Sequence, residues 1–210
     1  MKTRPTPYIA AVVAAAVVVL AGCASAPMAP KPLNDGELAV PADYRSWPKF
    51  LSAVQRPDVK QVREIYMNAV ARAATPAAGF PNGTVFVMEN YAAQTNPDGA
   101  LKTGPDGKLV KGELLRVFVM GKNAGWGQGV PEPLRNGNWV YAAYLGNGQK
   151  APDDLNTCRA CHLPLANKDF VHRYDEHFQQ RMSATHGALV ASLKRGVESA
   201  SLDAVASLAY

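Results

Sequence analysis

Phe80-Pro81-Asn82-Gly83-Thr84-Val85-Phe86-Val87-Met88-Glu89 is the stretch that decides the fold. Pro-Asn-Gly is turn chemistry: proline presets φ, and Asn and Gly tolerate the left-handed backbone. Residues 84–89 are β-branched, aromatic or long and read as a strand. Alternation places Thr84, Phe86 and Met88 on one face and Val85 and Val87 on the other. Downstream, residues 96–112 are polar, and Asp98-Gly99 and Asp106-Gly107 mark an exposed excursion. Residues 114–120 and 138–145 are further strands, separated by a Gly/Pro-rich loop around Trp126. Upstream, residues 62–68 read as a strand followed by an alanine-rich helical stretch through Ala74, and Asp43 as the cap of a short turn at 44–47. Phe170-Val171 reads as a short extended piece. Gly187 marks a break before an amphipathic helix carrying Leu189, Leu193, Val197, Leu202, Val205 and Leu208. That helix is expected to pack on the domain, with a dimer contact as the alternative. Strands first and helix last point to an α+β or mainly antiparallel β class.

Late in this order stands Cys158-Arg159-Ala160-Cys161-His162, the C-x-x-C-H pattern of covalent haem attachment. Residues i and i+3 share a helical face, so two thiols can meet the two vinyl groups, and the next residue offers an imidazole to the iron. A structural zinc site wants four Cys or His ligands, and the chain has one other cysteine, Cys23, far upstream. A thioredoxin-like motif wants a βαβ context, whereas here a loop, Ala151-Pro152-Asp153-Asp154, precedes the cysteines. The reading is therefore one covalently bound haem c on Cys158 and Cys161, with His162 as proximal iron ligand.

The N-terminus agrees with that compartment. Lys2 and Arg4 precede an apolar run from Ile9 to Ala21, which is signal-peptide length and short for a membrane span. Leu20-Ala21-Gly22-Cys23 resembles a bacterial lipobox, so residues 1–22 read as a leader and Cys23 as the lipidation site. Cleavage after Ala24 or Ala26 as an ordinary signal peptide is the alternative. Ala24 and Ser25 carry no acidic retention mark, so the lipobox resemblance implies the outer membrane, facing the periplasm. Residues 23–42, with Pro27, Pro30, Pro32 and Pro41, read as an extended tether. Residues 43–180 then form the haem domain and 181–210 the terminal helix. The formal charge of +5 falls to +3 without Lys2 and Arg4, and no dense Lys/Arg run exists, which argues against nucleic acid as a partner.

Tyr44-Arg45-x-Trp47, residues 63–68, Phe80-Pro81-Asn82-Gly83-Thr84-Val85, Gly125-Trp126-Gly127, Asn138-Trp139 and Cys158-x-x-Cys161-His162 with Asp169-Phe170-Val171 occur here in one order. The set resembles the cytochrome P-460 family and its relative cytochrome c′-β, over roughly residues 43–178. The resemblance implies an antiparallel sheet with flanking helices, one five-coordinate haem c and often a homodimer. P-460 members oxidise hydroxylamine and carry a lysine cross-linked to the haem. That lysine falls where this chain has Met88, and no lysine stands between Lys60 and Lys102 to replace it. Arg63 matches a pocket arginine of the family, and His172 stands where the family has phenylalanine.

The missing lysine points to an uncross-linked haem in a pocket that includes Arg63, Phe86 and His172, as in the c′-β relatives that bind nitric oxide or carbon monoxide. Met88 has three readings: an apolar side chain filling space, a thioether ligand to iron, or a thioether joined covalently to the haem. Arg63 either meets a bound anion or a haem propionate, or forms a surface ion pair with Glu64 or Glu89. His172 reads as a neutral histidine near the haem rim, with a second axial ligand as the alternative. His177 and His186 read as exposed, and Trp126 and Trp139 as core or haem-edge packing. The expected function is small-ligand binding or electron transfer with a periplasmic redox partner. The alternatives are an enzyme acting on hydroxylamine or nitric oxide and a pure His/Met electron-transfer protein.

Overall fold

The computed structural model describes residues 31–207; the stretch expected to be a leader, Cys23 and Leu208 lie outside the described residues. Five strands, β1 (Lys49–Arg56), β2 (Gln61–Met67), β3 (Val85–Ala93), β4 (Lys111–Lys122) and β5 (Trp139–Leu145), precede helices α1 (Leu155–His162) and α2 (Tyr174–Ser207). The strands form one antiparallel sheet in the order β1-β2-β3-β4-β5. This is the expected α+β architecture with a mainly antiparallel sheet. In-register pairing makes rows across the sheet. Ile65, Met88 and Phe118 form one row, and Met67, Phe86, Met120 and Tyr141 form the next.

Because side chains alternate, the two faces carry separate cores. On one face Tyr66, Val87, Val117, Val119, Ala142 and Tyr144 pack with Tyr44 beneath Leu38, Val40 and Trp47. The other face joins Phe50, Met67, Phe80, Phe86, Trp139 and Tyr141 to Val171, Tyr174 and Phe178 from the C-terminal segment. Phe80 is central: its ring centre lies 4.9 Å from Phe86, 5.8 Å from Tyr174 and 6.0 Å from Phe178. Each such ring contributes roughly 1.5–3 kcal/mol by leaving water.

Several local expectations are corrected. β1 has no counterpart in the sequence reading. Its register shifts twice and Ala53 sits at φ 51°, so its burial does not alternate and no period of two shows. The alanine-rich stretch is one 3-10 turn, Val70–Ala73, and not a longer helix. Phe170 is not extended; it and Asp169 are both left-handed, at φ 58° and 51°. Residues 34–41 are not a free tether. Gly36 N donates to the Tyr141 carbonyl at 2.7 Å, and Leu38 and Val40 cover the sheet.

α2 begins at Tyr174 and continues through Gly187 without a break, since a lone helical glycine costs only about 1 kcal/mol. It packs mainly through its first turns. Tyr174, His177 and Phe178 are buried, and Arg181 donates to the carbonyls of Ala74 and Arg72. Met182, Leu189 and Leu193 are exposed, so Leu189 and Leu193 do not pack on the domain as expected, and the side chains of Val197, Leu202 and Val205 lie outside the described residues. His177 is 2% exposed, against the expectation. Its ring stacks on Phe50 at 4.2 Å, and its Nδ1 bonds the Phe50 carbonyl at 2.9 Å. Among the described residues, no helix is long and apolar enough to cross a membrane.

Candidate functional site

The second face of the sheet is left open where the rows run past the C-terminal segment. A cavity of about 610 Å³ lies there, within the size range of cofactor sites. Ile65, Met88 and Phe118 line it from β2, β3 and β4. These three side chains are only half-buried, although they are apolar and central in the sheet. Arg63 and Asn90, the next pair along β2 and β3, give the wall a polar end. Thr157, Cys158, Cys161 and His162 of α1 line the same cavity, together with Val171, His172 and Arg173.

α1 is short and capped: the Asp154 side chain accepts from Asn156 N at 3.0 Å. Helical spacing turns Cys158 and Cys161 to one side. Cys158 is half-buried against the core, Cys161 is exposed, and both are free thiols. Burial pushes the Cys158 thiol above its ordinary value. His162 Nδ1 bonds the Phe170 carbonyl at 2.6 Å, which makes Nδ1 the protonated nitrogen and leaves the lone pair on Nε2, where it could meet a metal. Burial pushes the His162 pKa down to about 4, so the imidazole is neutral at pH 7. Its ring centre lies 5.1 Å from Tyr141 and 4.7 Å from His172. His172 Nε2 is 3.4 Å from Cys161 Sγ. Partial burial lowers the His172 pKa, and the charges of Arg63, Arg56 and Arg173 add to that effect.

The seven residues singled out on sequence grounds, Arg63, Phe86, Met88, Cys158, Cys161, His162 and His172, all border this one cavity. Arg63 pairs with neither Glu64 nor Glu89. Glu64 meets Lys49 and Lys111, while Glu89 meets Arg45. Arg63 Nη2 reaches Gln61 Oε1 at 3.3 Å and its Nε is buried without a partner. Asn90 Oδ1 and Tyr141 Oη are buried and unpartnered as well. Two thiols, a neutral imidazole, an apolar wall and unmatched polar atoms around a cofactor-sized space fit a haem.

Two residues that sequence reasoning missed hold α1 in place. Arg159, between the two cysteines, has a fully buried side chain. Its Nε donates to Asp35 Oδ2 at 2.5 Å and its Nη2 to Asp35 Oδ1 at 2.8 Å and the Trp139 carbonyl at 3.1 Å. A two-pronged arginine–carboxylate pair is geometrically demanding and so fixes α1 against Asp35, which itself accepts from Tyr141 N of β5 at 2.9 Å. Nothing in C-x-x-C-H marks its internal arginine as buried, and Asp35 lies 124 residues away in a proline-rich stretch.

Comparison with curated proteins gives no match. The family model described as cytochrome P460 matches residues 41–173, a span that takes in all five strands, α1 and the loop from Asp169 to Arg173. The chain therefore belongs to the cytochrome P460 family and is a haem cytochrome.

Proposed function

We propose that the protein is a periplasm-facing monohaem c-type cytochrome that binds a small neutral ligand such as nitric oxide or carbon monoxide and exchanges single electrons with a redox partner. Cys158 and Cys161 would hold the haem covalently, His162 Nε2 would ligate its iron, and lipid on Cys23 would keep the domain at the outer membrane. The bound group supplies an iron that takes a ligand and changes charge by one electron. The observation that carries the reading is the apolar row Ile65–Met88–Phe118 on a cavity that His162 also lines. Such a wall excludes water and disfavours charged ligands. Arg63 and Asn90 give that sheet wall a polar end, where an anion or a haem propionate would be met. Among the described residues the lining contains no lysine, which argues against the cross-linked haem of hydroxylamine-oxidising members.

One observation favours a second reading. The Met88 thioether lines the same cavity as His162, so His/Met ligation and simple electron transfer are chemically available. The optical spectrum of the haem-loaded protein, oxidised and then dithionite-reduced, separates these readings. A high-spin ferrous spectrum that changes on adding carbon monoxide is expected. A low-spin spectrum with sharp split bands and no response to carbon monoxide would replace ligand binding with electron transfer. A strongly red-shifted Soret band with hydroxylamine turnover would make it an enzyme.

A further inference from the structure

The carbonyl that receives His162 Nδ1 belongs to a residue in an unusual conformation. Asp169 and Phe170, neither of them glycine, are successive left-handed residues at φ 51° and 58°. Such backbone persists where its surroundings over-determine it, and it gathers at functional sites. Here the over-determination has an identifiable source. Lys122 Nζ, at the end of β4, donates to both Asp169 carboxylate oxygens at 2.9 Å and to the Phe80 carbonyl at 2.7 Å. Phe80 N donates to Asp169 Oδ2 at 2.8 Å, and Trp139 Nε1 to Asp169 Oδ1 at 3.3 Å. A Cβ on Gly79 would stand 2.9 Å from Asp169 Oδ2, so this close approach depends on glycine. Phe170 N donates to the Leu165 carbonyl at 2.8 Å and Val171 N to that of Lys168 at 3.0 Å, which holds the same peptides from the other side. Neither Asp169 nor Lys122 lines the cavity.

We propose that Asp169 and Lys122 are positioning residues for the proximal ligand: their ion pair locks the Phe170 carbonyl onto His162 Nδ1 and thereby sets the strength of the iron–imidazole bond. This rests on the reading of His162 as iron ligand. A carbonyl held close to Nδ1–H makes Nε2 a more electron-rich donor, which strengthens the bond to iron and favours the ferric state. A loosened carbonyl does the reverse. The sheet would thus act on the metal through a peptide group, from residues outside the cavity lining.

The test uses the haem-loaded protein and its Asp169→Asn, Lys122→Met, Lys122→Arg and Phe170→Leu variants. Resonance Raman spectra of the ferrous proteins give the iron–imidazole stretching frequency, redox titration gives the midpoint potential, and thermal melting is followed in parallel. Asp169→Asn and Lys122→Met are expected to lower the frequency and raise the potential. Lys122→Arg, which keeps the pair, and Phe170→Leu, which keeps the carbonyl, are expected to stay near wild type. Variants that melt earlier but keep both wild-type values would overturn the proposal and leave the ion pair a structural one. If Asp169→Asn does not fold, the contrast between Lys122→Met and Lys122→Arg decides alone. A wild-type protein without an iron–imidazole band would overturn the His162 reading itself, a result distinguishable from an unshifted band in the variants.

Discussion

Met88 sits on β3 between two residues that face away from it, Val87 and Glu89, both fully buried in the opposite core. Its own side chain is half-buried on the cavity wall. If Met88 is wall and not ligand, Met88→Leu conserves volume and should leave the ferrous spectrum high-spin, with carbon monoxide affinity within about threefold of wild type; a volume-conserving swap of this kind costs less than about 1.5 kcal/mol. Conversion from a low-spin to a high-spin spectrum in that variant would identify the thioether as a ligand. Glu89 illustrates the other face. Burial alone would raise its pKa, yet hydrogen bonds from Tyr44, Tyr91 and Arg45 hold its carboxyl below the usual range. Tyr66 Oη adds a further bond at 3.1 Å. Glu89→Ala strands those hydroxyls, each worth about 1–3 kcal/mol when left unsatisfied and buried. A loss of about 3 kcal/mol or more in urea unfolding is expected, and a loss below 1 kcal/mol would show that water replaces the carboxylate.

At the scale of elements, α1 and α2 are held differently. α1 is eight residues long and could not persist alone; its fixed point is the buried Arg159–Asp35 pair. Removing one partner of a buried pair costs about 3–5 kcal/mol because the other charge remains. Arg159→Met should therefore destabilise by about that much in urea melts, and a second change, Asp35→Asn, should recover part of it. Absence of any recovery would mean that Arg159 acts through the Trp139 carbonyl instead. α2 is anchored at its start. Phe178→Ala should cost about 3–5 kcal/mol as a buried aromatic, whereas Leu189→Ala, on an exposed stretch, should stay within about 0.5 kcal/mol. Equal losses would place a partner on the later turns of the helix.

For the molecule as a whole, the buried groups predict acid lability. Burial pushes the His177 pKa below its ordinary value, against the raising effect of its bond to the Phe50 carbonyl. Well above pH 6.5 the group is neutral in both states and contributes nothing. As pH falls below about 6.5 the unfolded chain binds the proton first, and stability declines. Glu89, held low, loses its contribution further down, as pH passes below the unfolded value near 4.3 towards the folded one. The haem-loaded protein should unfold at lower urea at pH 5 than at pH 7.5, and His177→Phe should flatten that difference. An unchanged slope would assign it to other groups.

The sequence by itself determined the class of sheet, the strands at β2 to β5, the cysteines and histidine of α1 and the family, because each is local: alternation, turn residues and fixed spacing survive in one dimension. Phe86 and Met88 were legible as sharing a face for the same reason. Only the tertiary structure decided what depends on distant pairs. β1 hides its period behind a bulge at Ala53, and Asp35 finds Arg159 across 124 residues. His177 is buried because α2 starts early enough to lay it on Phe50. The Lys122–Asp169 pair joins a strand end to a loop, and a composition rule treats both as surface charges. A buried charge is tolerated only where its partner is already in place, and the folded chain alone brings the two together.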